Sequence, residues 1–277
     1  MKLPADLIGT EATSSEYSVV KWEAGQRIAH DDVVAEEVPV ALIYNGVSHV
    51  VMLATPQDLE DFAVGFSLSE GIITRADEIY GVEIQPQPQG IELHIALAAD
   101  RFFMLKERRR NLTGRTGCGL CGAESLAQAL RIPESLGTTG HFDHAAIVAA
   151  HQNIRARQPL QAVTGATHAS AWVRPDGEIA LVREDVGRHN ALDKLIGARA
   201  RSRAQGEGFV LTTSRASYEM VQKTASAGIP MLVAVSAPTG LAIRIARNCG
   251  LTLVGFARQQ QYVIYSHPER ILHKEYA

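Results

Sequence analysis

The feature that most constrains this chain is the alternation in its C-terminal part. "GFVLTTS", "SYEMVQKTASAG", "PMLVAVSAP", "GLAIRIARNCG" and "LTLVGFA" read in turn as strand, helix, strand, helix and strand. The three strands are nearly continuous apolar runs, without the polar alternation of a sheet wetted on one side. Strands of that kind must be covered on both faces, and helical crossovers between them imply a largely parallel sheet. "HASAWVRPDGEIALVRE" adds two strands around a Pro-Asp-Gly turn. "GRHNALDKLIGARARSRA" adds a helix with Leu192, Leu195 and Ile196 on one side, and "YVIYS" suits an edge strand.

The N-terminal part is patterned differently. In "VPVALIYNGVSHVVMLATP" two β-branched runs flank Asn45-Gly46, a hairpin signal because both residues tolerate positive φ. A helix is expected over "TPQDLEDFAVGFSLSEG", with Thr55 as its cap, Pro56 at its first position, Asp58 completing a capping-box-like pattern and Gly71 at its stop. Leu59, Phe62, Ala63 and Phe66 make its apolar stripe, and "IELHIALA" alternates as a strand. The first 35 or so residues are polar and weakly patterned, with a frayed start expected. The basic stretch "LKERRRNLTGR" reads as a solvated helix face or as a connector. The division expected is a small α+β domain over residues 1–112 and a larger α/β domain over 113–277. Past that point "AESLAQAL" and "DHAAIVAAHQNIRAR" read as helices.

Of the 277 residues 46% are hydrophobic, enough for a sizeable core. A net charge of −3 carries no basic footprint for nucleic acid. Three cysteines cannot form a disulfide framework, which points to a reducing compartment. "MKLPADLIGTEATSSEY" lacks the apolar core of a secretion signal, and "GIPMLVAVSAP" is too short to span a bilayer. The expectation is a soluble cytoplasmic protein.

Two features carry chemistry. The first is the set of segments leaving the strands: "REDVGRHN", "TTSRAS", "SAPTG" and "FARQQQ". Ligands of open α/β sheets sit beyond the carboxyl ends of the strands, so these segments are candidates to line one pocket. Their Ser, Thr, Arg, His and Asp side chains would converge there, or Asp185 would cap its helix.

The second is "GRTGCGLCG", which holds Cys118 and Cys121. A structural zinc site needs four ligands and there is no second knuckle; Cys249 falls on an apolar helix face as a packed thiol. The H-x-E spellings at His267–Glu269 and His273–Glu275 follow the CxxC, the reverse of the zinc deaminase order. Gly117, Gly119 and Gly122 spell a dinucleotide fingerprint but lack the strand it requires. No metal ligand is therefore assigned. Flanking glycines, Arg115 and a following helix N-terminus suit a mobile, activated thiol, as in a group carrier. A zinc- or nucleotide-binding structural module is the alternative.

"EEVPVALIYNGVSHVVMLATPQDLEDFAVGFSLSEGII", "RTGCGLCG", "EDVGRHNALDK", "TSRASYEMVQK" and "LVGFAR" together resemble the FdhD family of formate dehydrogenase accessory sulfurtransferases, from about Val38 to Glu269. The resemblance implies a sulfur carrier between a cysteine desulfurase and the molybdenum cofactor of formate dehydrogenase. It also implies a homodimer that binds the bis-molybdopterin guanine dinucleotide form of that cofactor as cargo, with GDP as its analogue. For the C-terminal domain it implies a three-layer α/β fold like that of cytidine deaminase, without the zinc. Carried over by motif, Cys118 bears the persulfide and Cys121 is its partner. Phe256, Ala257, Arg258, Gln259, Gln260 and Gln261 contact the cofactor, with Arg188, His189, Ser214 and Arg215 in the same pocket. Three glutamines follow Arg258 where glycine or charge is expected, which shifts contact there toward backbone and amide groups.

Overall fold

In the computed structural model the described residues are 12–113 (108–113 as backbone only), 130–137, 140–202, 206–258 and 260–272. Strands β1 (Ser14–Glu23) and β2 (Gln26–Ala35) pair antiparallel across Ala24-Gly25. This ribbon replaces the irregular start expected from the sequence. Tyr17, Val20, Trp22 and Ile28 are all exposed on it. With no face buried, the ribbon needs no one-sided alternation, so it leaves none to read.

Strands β3 (Val38–Tyr44) and β4 (Val47–Ala54) form the expected hairpin. Asn45 (φ 46°) and Gly46 (φ 79°) supply the two left-handed residues its turn requires. Helix α1 (Leu59–Ser69) follows, then β5 (Ile79–Gln87) and β6 (Gly90–Leu97). The small sheet has the order β4-β3-β6-β5, with β3 and β6 parallel. Phe62 and Phe66 of α1 pack with Leu42, Leu93 and Ile95 of the sheet. The expected cap of α1 is corrected. Asp58, in the left-handed region at φ 52°, precedes the helix. Thr55 is fully buried; its hydroxyl accepts a hydrogen bond from the Val186 amide (3.1 Å), and its own amide donates to Asp185 Oδ2 (3.0 Å). Tertiary contacts have taken the side chain that local pattern assigned to the helix. Residues 105–113 of the basic stretch belong to helix α2 (Ala99–Thr113), as its helical reading had it, and Gly114 and Arg115 lie outside the described residues.

The larger unit begins with β7 (Phe142–Asp143), α3 (His144–Ile154) and α4 (Pro159–Thr164). It continues through β8 (His168–Val173), β9 (Ile179–Asp185), α5 (Arg188–Arg201), β10 (Phe209–Thr212) and α6 (Tyr218–Ser226). It ends with β11 (Met231–Ala234), α7 (Gly240–Cys249), β12 (Thr252–Arg258), β13 (Gln261–Ser266) and β14 (Ile271–Leu272), the last pairing with β7. The six-stranded order is β13-β12-β11-β10-β8-β9. Only β10, β11 and β12 run parallel; β8 and β9 enter as a hairpin, and β13 returns antiparallel at the edge. The expected parallel sheet is thus a parallel centre with antiparallel flanks. Helix α3 covers one face through Ile147 and Ala150, against Val173, Phe209 and Leu211. Helices α5, α6 and α7 cover the other through Leu192, Met220 and Ala246, against Trp172, Val210 and Leu232. The unit is a three-layer α/β sandwich.

Helices α1 and α5 fasten the two sheets together. A Cβ on Gly65 would lie 1.7 Å from the Asp193 carbonyl oxygen, and one on Gly197 would lie 1.9 Å from that of Asp61. Only glycine permits that approach. Buried charge then closes the seam. Asp61 holds Arg183 (2.7 Å) and Arg201 (2.6 Å), Asp185 holds Lys194 (2.6 Å), and Asp193 holds Lys223 (2.9 Å).

Candidate functional site

Strands β9, β10, β11 and β12 all end at one edge of the large sheet, where β8 and β13 begin. An open cleft of about 1330 Å³ lies there. Thr213 and Val235 line it from the ends of β10 and β11, His168 from the start of β8, and Gln260 and Gln261 from the turn into β13. The α3–α4 segment supplies the opposite wall with His151, Arg155, Gln158 and Gln161. That wall is anchored from beneath: the buried Glu184 carboxylate accepts from the amides of Leu160 (3.0 Å) and Gln161 (2.8 Å) and from the Thr167 hydroxyl (3.1 Å). Burial lowers the pKa of both His151 and His168; for His168, Arg188 adds to the depression against the opposing pull of Asp185. Both imidazoles are therefore neutral hydrogen-bonding groups near neutral pH.

The sequence-predicted residues fall in three places. Phe256, Ala257 and Arg258 form the end of β12, where the pairing with β13 slips and Phe256 turns left-handed (φ 53°). Phe256 and Arg258 are exposed, with the guanidinium 5.9 Å from the ring centroid, while Ala257 is buried. Ser214 is buried, sharing a hydrogen bond with the Thr212 hydroxyl (3.0 Å), and Arg215 beside it is exposed. Arg188 stands at the first turn of α5, and its Nε is buried with no hydrogen-bond partner among the described residues.

His189 belongs elsewhere. It lines a second cleft of about 560 Å³ between the small sheet and α6, together with His49, Arg131, Tyr218 and Lys223. Its Nε2 lies 2.8 Å from Glu219 and 3.3 Å from the Ser217 hydroxyl. Burial pushes its pKa down to about 4; Glu219 opposes this, and Arg188, Lys223 and Arg215 reinforce it. Asp185, open between ligand contact and capping, does something else: it is fully buried and faces Lys194, the Thr55 and Gly187 amides and Asn190. Lys194, Asp193 and Lys223 went unread because a charged residue inside a helical pattern looks like a solvated face. His168 and the glutamines near Gln158 carried no local signal beyond their position before a strand.

Cys118, Cys121 and Gln259 lie outside the described residues, as do all of the expected helix "AESLAQAL" but its last residue, Leu130, and the His273–Glu275 pair. Cys249 is a core thiol at the end of α7, 1% exposed, and burial raises its pKa. His267 pairs with the exposed Glu269 (3.1 Å) at the surface. Among the described residues, Arg155, Arg188, Arg215 and Arg258 form no ion pair; Arg155 lines the cleft, Arg188 and Arg215 follow the ends of β9 and β10, and Arg258 ends β12. Unpaired guanidinium groups beside an open cleft suit a polyanion such as a pyrophosphate.

Fold and site together define an α/β protein built on two main sheets, with an open cleft at the carboxyl ends of the strands of the larger one. The chain belongs to the FdhD/NarQ family, whose model matches residues 35–272. A sulfur carrier protein FdhD from Cupriavidus necator is 56% identical over 95% of this chain and 91% of its own length. One from Xanthomonas euvesicatoria pv. vesicatoria is 52% identical over 92% and 91%. The crystal structure of a candidate formate dehydrogenase accessory protein from Desulfotalea psychrophila superposes with a TM-score of 0.73 at 27% identity, covering 94% of this chain and all of the other.

Proposed function

We propose that this protein is a sulfur carrier serving formate dehydrogenase, and that it acts as a sulfurtransferase. The observation that carries the reading is the family match across residues 35–272 in a chain that also holds the paired thiols of "GCGLCG". The Cys118 thiolate attacks the outer sulfur of a cysteine desulfurase persulfide; the desulfurase thiolate leaves, and Cys118 becomes the persulfide. The sulfur's acceptor is the molybdenum of bis-molybdopterin guanine dinucleotide, which then enters formate dehydrogenase. Cys121 assists the transfer, or resolves a stalled persulfide, by attacking the inner sulfur of the Cys118 persulfide, so that the outer sulfur leaves as hydrosulfide and the two cysteines close as a disulfide.

The strand-end cleft is the dinucleotide's seat in this reading. Arg188, Arg215 and Arg258 meet the pyrophosphates, and Gln260 and Gln261 offer amide groups on the same wall. The protein works in the cytoplasm as a homodimer, and no helix among the described residues is long and apolar enough to cross a membrane. The zinc-module reading is disfavoured because its third thiol, Cys249, is packed inside α7's core contact.

Intact mass spectrometry after incubation with a cysteine desulfurase and cysteine tests the carrier. Wild type and Cys249→Ala should gain the mass of one sulfur atom, and Cys118→Ala should gain none. Loading that is unchanged in Cys118→Ala rejects the assignment.

A further inference from the structure

Helix α5 carries Lys194, Arg199 and Arg201 on its inner and lateral faces. Lys194 holds Asp185, and Arg201 holds Asp61 and Glu60. Arg199 differs. Among the described residues it has no carboxylate and no hydrogen bond, and its Nε is buried without a partner. Its guanidinium carbon instead lies over Trp172, 4.3 Å from the ring centroid. Desolvation lowers its pKa and nothing nearby offsets that loss. A half-buried guanidinium normally finds an anion, because taking the charge out of water without one is costly.

Arg199 lines a cleft of about 740 Å³, remote in sequence and in elements from the strand-end edge. Its other walls are the C-terminus of α6 (Ser226, Ala227, Gly228) and the segment Thr74–Asp77. Among the described residues the only acid on the wall, Asp77, is already held by Arg75. The backbone amides of Ala227 and Gly228 are spent on carbonyls of α6, the Thr74 hydroxyl on Glu78 and Arg101, and Arg75 on Asp77, which leaves the Ser226 hydroxyl as a polar group of the wall. That oxygen accepts from Gln222 Nε2 (3.0 Å) and keeps its own proton to donate. A planar fork of donors backed by an indole, with a hydroxyl donor across the gap, is the geometry of oxyanion recognition.

We propose that the Arg199 cleft is a second ligand site, which takes the carboxylate or phosphate group of a small molecule. It is independent of the sulfur-carrying reading and of the dinucleotide seat. Trp172 reports on it directly, since it is one of two tryptophans and Trp22 lies on the exposed β1 strand.

The test uses the full chain bearing Trp22→Phe, so that Trp172 is the sole tryptophan and can be excited selectively over the tyrosines. Sodium phosphate and sodium acetate are titrated separately at constant ionic strength. A saturable change in Trp172 emission is expected with at least one; the phosphate arm alone responding identifies a phosphate ligand, and the acetate arm alone a carboxylate. Arg199→Gln should weaken the response roughly tenfold or more, the loss of a charge-assisted contact. Arg258→Ala, at the strand-end edge, should leave it intact. If Arg199→Gln does not fold, Ala200→Glu serves instead: it keeps Arg199 and supplies a carboxylate within the cleft, and it should abolish the response. No saturable change with either anion overturns the proposal. So does a response that survives Arg199→Gln or Ala200→Glu, or one that disappears in Arg258→Ala.

Discussion

The α1–α5 seam and the strand-end cleft use the same residue types for opposite ends. Along the seam three cations each have a carboxylate within about hydrogen-bond reach: Arg183 with Asp61, Lys194 with Asp185, Lys223 with Asp193. At the cleft Arg188, Arg215 and Arg258 have none among the described residues, and the histidines are held neutral by burial. A charge neutralised inside the fold holds two sheets together, and it has nothing left for a ligand. A charge left unpaired at an edge contributes little to the fold, and it can be spent on an anion.

Breaking the seam should therefore have the largest effect on stability. Lys194→Ala leaves Asp185 fully buried without its cation, and a loss of about 3–5 kcal/mol is expected in denaturant unfolding. Replacing both, as Lys194→Met with Asp185→Leu, should recover part of that loss, because the cost lies in the orphaned charge. Recovery of nothing would show that the Thr55 and Gly187 contacts of Asp185 matter more than its charge.

Cleft variants should behave the other way round. Arg215→Ala and Arg258→Ala should each weaken GDP by about 1.5–3 kcal/mol in calorimetry, with little change in melting temperature. Neither should block sulfur loading of Cys118. Unchanged GDP binding in both would place the nucleotide away from the strand ends.

His189 sits between the two regimes, and pH separates them. Its pKa is depressed from 6.5 to about 4 in the folded state. Between those values the unfolded chain binds more protons, so stability should fall as pH drops from about 6.5 to about 4. Thermal melts across that window should show a shallower slope in His189→Gln. An equal slope would mean that other groups, such as His168, dominate the acid loss.

The smallest effect belongs to the seam's wet rim. Glu60 pairs with Arg201 at a largely exposed position, and Glu60→Ala should cost less than about 1 kcal/mol in the same unfolding assay. A larger loss would extend the seam's behaviour out to the surface.

Much of the fold was legible in the chain. The Asn45-Gly46 hairpin, the β10-α6-β11-α7-β12 alternation, the edge strand β13 and the packed thiol of Cys249 follow from side-chain period, turn chemistry and apolar runs, which are local properties. The β1–β2 ribbon was not legible, because neither of its faces is buried. The antiparallel flanks of the large sheet were not either, since a strand's direction depends on its neighbours. The candidate cleft was readable only as a list of strand-end segments.

The sequence by itself determined which residues had to be strands and helices, and which segments would leave the strands carrying Arg, Ser and Gln. Only the tertiary structure decided what those side chains meet. "EDVGRHNALDK" shows the division within one helix turn and its lead-in. Asp185 and Lys194 turn inward to the seam, Arg188 stays unpaired, and His189 faces the second cleft. Period fixes the face of a helix that a residue occupies, but a charged residue's role depends on whether another element brings a counter-charge to that face. Here Asp185 and Lys194 pair with each other, α6 brings Lys223 to Asp193, and α1 brings Asp61 to Arg183 and Arg201, while Gly65 and Gly197 let the α1 and α5 backbones approach closely.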